Sequence, residues 1–123
     1  MPGSVLQDPV IRQKAEALLA RMNLEQKIGQ MTLTERLSVT PADVRAFHLG
    51  GVLSGSGSCP RSNRPEDWVA MNDAYWAASM ARDENRLARP LLYGVDAIHG
   101  HNTVRGATNF PHNIGHGAAT DHD

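Results

Sequence analysis

Leu91-Leu92-Tyr93-Gly94-Val95-Asp96-Ala97-Ile98-His99-Gly100-His101-Asn102 is the stretch on which the fold turns. It opens as an apolar run behind Arg89-Pro90 and closes on four polar residues, Asp96, His99, His101 and Asn102. An apolar run of this length, bounded by proline and then by glycine, predicts a buried strand over 91–96. A carboxylate at the exit of such a strand is costly to bury unless something pairs with it. Strand exits are also where α/β folds keep their ligands. Asp96 therefore admits two readings. It is a strand-end carboxylate bonded to nearby backbone amides, or it is a fixed acceptor for ligand hydroxyls, an arrangement that suits sugars.

Upstream, Val52-Leu53-Ser54 reads as a second short strand behind Gly50-Gly51. Pro65-Glu66-Asp67 opens the longest helix, with its acidic residues at the positive end of the helix dipole. Trp68, Val69, Tyr75, Trp76 and Met80 give that helix a broad apolar side, and its aromatic residues read as helix–sheet packing. The strand–helix–strand portion, from about 52 to 96, suits one parallel βαβ unit. Closer to the N-terminus, Asp8-Pro9 starts a helix whose Ile11, Ala15, Leu18, Leu19 and Met22 share a face. Asn23 and Gln26 form a capping box ahead of the stripe Leu24, Ile28, Met31. Thr40-Pro41-Ala42-Asp43 repeats the start signal for a short helix carrying Val44 and Phe47. Residues 1–7 read as a loose lead-in and 82–89 as a charged connector. After Gly100 the chain reads as loop to about residue 113. Residues 114–123 can begin another helix, although Asn113 and Gly115, between His112 and His116, argue against one at that point. Two parallel strands are too few to bury both of their faces, so this is part of a larger α/β fold.

The totals narrow the function. A length of 123 residues with 41% hydrophobic and 20% charged residues is globular rather than disordered, and allows one small core. A net charge of -1 leaves no basic surplus to neutralise phosphates, so no nucleic-acid partner is expected. No run is long enough to span a membrane. The opening residues lack the basic and then apolar regions of a secretory signal, which leaves localisation undetermined. Cys59, the single cysteine, cannot form an internal disulfide and has no paired histidine to make it a nucleophile. His99 and His101 have an H-x-H spacing, and His112 and His116 stand at i and i+4. Neither pair completes a zinc signature, so these read as loop histidines bonded to backbone, with no metal. Gly55-Ser56-Gly57-Ser58 lacks the lysine of a phosphate loop. It either lets the backbone approach a ligand or is only a turn.

Four segments together resemble glycoside hydrolase family 3. Residues 21–31, Arg21-Met22-Asn23-Leu24-Glu25-Gln26-Lys27-Ile28-Gly29-Gln30-Met31, are similar to its opening segment. Leu53-Ser54-Gly55-Ser56-Gly57-Ser58 resembles its first barrel strand and loop, and residues 93–102 its second. Gly106-Ala107-Thr108-Asn109-Phe110-Pro111-His112-Asn113-Ile114-Gly115 resembles the segment that follows, in the right order along the chain. His116 stands where the family usually has leucine.

The resemblance implies a TIM-like (β/α)8 barrel, of which residues 1–123 are an N-terminal portion with about two strands and the helices before them. It implies that the rest of the barrel and a C-terminal α/β sandwich domain are absent from these residues. It implies a retaining β-glucosidase that cleaves terminal non-reducing β-D-glucosyl residues, with a nucleophile and an acid/base among later residues. Asp96 matches the family aspartate that holds sugar hydroxyls in the −1 subsite, and Gly57 or its neighbours line the same subsite. No catalytic residue, metal or cofactor is expected in this segment. The expected partner is a β-glucoside or oligosaccharide, and the segment alone is expected to be inactive. Export to the periplasm or outside the cell fits the family, and a cytoplasmic location fits otherwise. The alternative is a non-catalytic module that binds sugars or self-associates through its open sheet.

Overall fold

The computed structural model describes residues 8–55, 57–83 and 86–119. The lead-in at 1–7, Ser56, part of the charged connector and the last four residues lie outside these. Three of the helices begin where local capping chemistry sets them. Helix α1 (Pro9–Leu19) starts behind Asp8, whose carboxylate accepts from the Val10 amide at 2.8 Å. Helix α2 (Leu24–Gln30) carries the reciprocal pair, with Gln26 N–H donating to Asn23 Oδ1 at 2.8 Å and Asn23 N–H to Gln26 Oε1 at 3.3 Å. Helix α3 (Pro41–Ala46) repeats it with Thr40 and Asp43. Each box satisfies amides that the first helical turn would leave unpaired.

The sheet holds one strand more than the sequence suggests. Strands β1 (Leu33–Glu35), β2 (Gly51–Ser54) and β3 (Leu92–Val95) are parallel and lie in that order. The connection from β1 to β2 runs through a 3₁₀ turn (Arg36–Ser38) and α3, and that from β2 to β3 through α4 (Pro65–Met80). The βαβ unit read from 52 to 96 is therefore preceded by a second one. Strand β1 is three residues long, too short to show a period of two.

One face of the sheet carries the core. Val52 and Ser54 are buried on the face that also presents Tyr93, and side chains on adjacent strands share that face by register. Val44, Leu49, Val52 and Tyr75 form the buried cluster, with Val39, Met71, Ala78, Leu91 and Tyr93 packed around it. Trp68 and Tyr75 of α4 are buried as expected, but Trp76 is 54% exposed, on a flank of α4 where it borders Leu91 and Tyr93 at an uncovered cleft beside β3. The opposite sheet face is open: Leu33 is 56% and Leu92 70% exposed. The apolar stripes of α1 and α2 are likewise uncovered, with no α1 residue buried and Leu24, Ile28 and Met31 all exposed. Amphipathic stripes need a partner surface, and the described residues leave these two largely bare, although Met22 just beyond α1 and Gln26 and Gly29 of α2 are buried.

Two further features depart from the sequence reading. The connector holds a buried arginine. Arg86 is 6% exposed, and its guanidinium donates to the carbonyls of Val44, Arg45 and Ser79 and to His48 Nδ1, tying α3 to α4. A short helix α5 (Asn113–Gly117) does form, with His112 as its N-cap residue rather than one member of an i, i+4 pair on a helix face. The backbone of α2 approaches the α3–β2 turn so closely that Gly50 N–H donates to Gly29 C=O at 2.8 Å. A Cβ on Gly29 would overlap the Phe47 carbonyl oxygen, so only glycine fits there.

Candidate sugar site at the strand exits

All three strands run the same way, so their C-terminal ends open on one edge of the molecule. Glu35 ends β1, Ser54 and Gly55 leave β2, and Val95 and Asp96 leave β3. In a closed parallel barrel this is the face that carries ligand sites. Two clefts, of about 680 and 600 Å³, lie at the other end, lined by residues such as Arg21 and Arg86, or Ile28 and Phe47.

Asp96 continues the ladder by one bond, its amide donating to Ser54 C=O at 2.9 Å. This fixes its backbone relative to β2. Its side chain is exposed, and among the described residues the carboxylate has no hydrogen-bond partner. The reading in which nearby amides satisfy it is not what the geometry shows. Inward of it, the Ser54 hydroxyl, 1% exposed, is bonded to Tyr93 Oη, which locks the exits of β2 and β3 together. Burial pushes the Tyr93 phenol up, against the opposing effect of the Ser54 bond, so it stays a neutral hydroxyl.

Gly57 lies in the β2 exit loop, exposed, with φ +81° and open space where a Cβ would stand. The loop folds back on itself through Ser58 N–H to Gly55 C=O and Cys59 N–H to Gly57 C=O, both at 3.0 Å. It is also tied to β1, which sequence reasoning missed. Arg36 donates Nε to Ser58 Oγ at 2.9 Å and Nη2 to Cys59 C=O at 3.0 Å. Burial raises the Glu35 carboxyl, but Ser58, the Leu37 and Gly55 amides and the Arg36 charge outweigh it and hold the group below its usual range. The only cue in the sequence is an acidic–basic pair after an unrecognised strand.

The β3 exit loop is held from the other side. Trp68 Nε1 donates to Asn63 Oδ1 at 2.8 Å, Asn63 Nδ2 donates to Thr103 C=O, and the His101 ring meets the Trp68 ring edge-on at 5.1 Å. His99 bonds through Nδ1 to Phe110 C=O at 2.9 Å, so Nδ1 carries the proton, and its ring lies 4.1 Å from that of His112. The structure thus separates His99 from His101 and pairs His99 with His112. Among the described residues no three His, Cys, Asp or Glu side chains converge as a metal site would require.

Residues 23–123 match the family model described as the glycosyl hydrolase family 3 N terminal domain. A lysosomal beta glucosidase of Dictyostelium discoideum is 27% identical over 116 residues, covering 80% of this chain and 14% of its own length. Two crystal structures of the exo-1,3/1,4-beta-glucanase ExoP from a Pseudoalteromonas species, one of them a point mutant, superpose with TM-scores of 0.79 and 0.78. Both are 38% identical and cover 88% of this chain, which spans 14% and 18% of theirs. The small parallel sheet matches the N-terminal part of a TIM-barrel domain of this family.

Proposed function

Because this chain belongs to glycosyl hydrolase family 3, as part of that family's N-terminal domain, we propose that it supplies one wall of the −1 subsite of a retaining β-glucosidase. The substrate is a terminal non-reducing β-D-glucosyl residue. Its relatives are a beta glucosidase and an exo-1,3/1,4-beta-glucanase, which supports that substrate class. The observation that carries the reading is Asp96: a carboxylate with its backbone fixed at a strand exit and its oxygens left unpaired by the described residues. An ionised carboxylate only accepts hydrogen bonds, and its bonds to neutral hydroxyls are short and charge-assisted. Held against two hydroxyls of one ring, it orients the sugar, and those bonds strengthen as the ring flattens toward an oxocarbenium ion.

The nucleophile and the acid/base of the double displacement come from outside these 123 residues, so the chain alone does not hydrolyse glycosides. The test is a chimera in which this chain replaces the matching segment of the Pseudoalteromonas exo-glucanase. The expected result is hydrolysis of an aryl β-glucoside by the chimera, with β-glucose as the first-formed product by NMR, and none by the isolated chain. A folded chimera without activity, or turnover by the isolated chain that Asp96→Ala abolishes, overturns the proposal.

A further inference from the structure

The β2 exit loop is rich in glycine, yet it is tied down by a neighbouring strand. Glu35 pairs in register with Leu53, and Ser54 with Val95, so Gly55 leaves the sheet level with Asp96. A Cβ on Gly55 would lie 4.0 Å from Glu35 Oε1, which puts the Glu35 carboxylate on the other side of Gly55 from β3. Glu35 and Asp96 both follow the alternation of the open sheet face, away from α3 and α4. Ser58 sits behind the loop at 1% exposure and accepts from Arg36, whose fork spans both Ser58 and Cys59. The turn that carries Arg36 is itself fixed, because Tyr75 Oη of α4 donates to Val39 C=O at 2.7 Å and to Arg36 C=O at 3.4 Å. A rigid path therefore runs from α4 through the turn after β1 to the loop beside Asp96.

Resting on the reading of Asp96 as a sugar-binding residue, we propose that Glu35 and Arg36 are positioning residues that clamp Gly55, Ser58 and Cys59 so that the Gly55 and Gly57 backbone borders the sugar ring. Neither touches substrate. An arginine is suited to this because its planar fork holds two donors in fixed directions toward two acceptors, whereas a lysine is a flexible point charge with no such pre-set geometry. A loop with two glycines is otherwise free to adopt many conformations, and a pre-ordered loop binds without that entropic cost.

The test uses Glu35→Gln, Arg36→Lys and Ser58→Ala in the same chimera, with Asp96→Ala as control. Contacts to a ring that are equal in the ground and transition states appear in KM. Each clamp variant is expected to raise KM for the aryl glucoside about tenfold while kcat stays within about threefold. Hydrogen exchange of the peptide over residues 55–60 is expected to speed up, with Leu92–Val95 unchanged. Glu35→Gln combined with Arg36→Lys is expected to be no worse than either alone, since both act through one loop. If Asp96→Ala is damaging but the clamp variants leave KM unchanged, the clamp proposal fails and the subsite reading stands. If Asp96→Ala is silent, the subsite reading fails first. A fall in thermal stability with kcat and KM untouched also refutes the clamp.

Discussion

Replacing Asp96 by alanine separates function from folding more cleanly than any other change in this chain. The side chain is exposed and has no hydrogen-bond partner among the described residues, while the bond from its amide to Ser54 C=O survives the substitution. A surface change of that kind alters stability by no more than about 0.5 kcal/mol. On activity the expectation is opposite. Each hydrogen bond to a charged acceptor contributes about 1.5–3 kcal/mol. Two sugar hydroxyls on one carboxylate then account for about 3–6 kcal/mol, and at about 1.4 kcal/mol per factor of ten kcat/KM falls by about 10²–10⁴. Asp96→Asn keeps the shape but loses the charge. It should retain about half of that energy, since neutral bonds are about half as strong. Urea unfolding of the 123-residue chain reads the first quantity, and initial rates on an aryl β-glucoside in the chimera read the second. A kcat/KM within about threefold of the parent, or a stability loss above about 1 kcal/mol, would show that Asp96 serves the fold and not the sugar.

Two further outcomes follow from the interior. His48 accepts from the Arg86 guanidinium at 3.2 Å and is therefore neutral when folded, and burial, then the charges of Arg86 and Arg89, lower its pKa. The unfolded chain takes up the proton first as pH falls, so this stabilisation is full above about 6.5 and is lost as pH drops through the lower folded value. Urea midpoints at about pH 7.5 and 5.5 should show the decline, and His48→Asn, which tolerates the φ of 55° at this position, should flatten it. A parent midpoint that is the same at both pH values rules this out. Tyr75→Phe keeps the ring against Tyr93 but strips the bonds to Val39 and Arg36, at a cost of about 1–2 kcal/mol in unfolding free energy. An unchanged midpoint would mean that the turn after β1 is not held by α4.

Features that depend on neighbours a few residues apart are legible in the chain as written. Asp8, the Asn23–Gln26 box and the Thr40–Asp43 pair each cap a helix through contacts two or three residues away, and each helix begins where its cap requires. The apolar runs at 52–54 and 91–96 carry enough pattern to mark β2 and β3, and four segments taken together, one of them around Asp96, pointed to the family. Amphipathic stripes on α1 and α2 were equally readable, but a stripe states that a face wants cover and not what covers it.

Other features exist only in the assembled molecule. Strand β1 is recognisable only because Leu33, Thr34 and Glu35 pair with Gly51, Val52 and Leu53, since three residues carry no periodicity of their own. Arg86 looks like one more charge in a polar connector until its fork meets carbonyls 41 and 42 residues earlier in the chain. Arg36 reaches Ser58 and Cys59 across 22 and 23 residues, and His99 meets His112 rather than His101. Bonds of that span form only once strands and helices have come together. The short-range chemistry that starts a helix or ends a strand carries no information about which distant backbone group will lie within reach of a side chain.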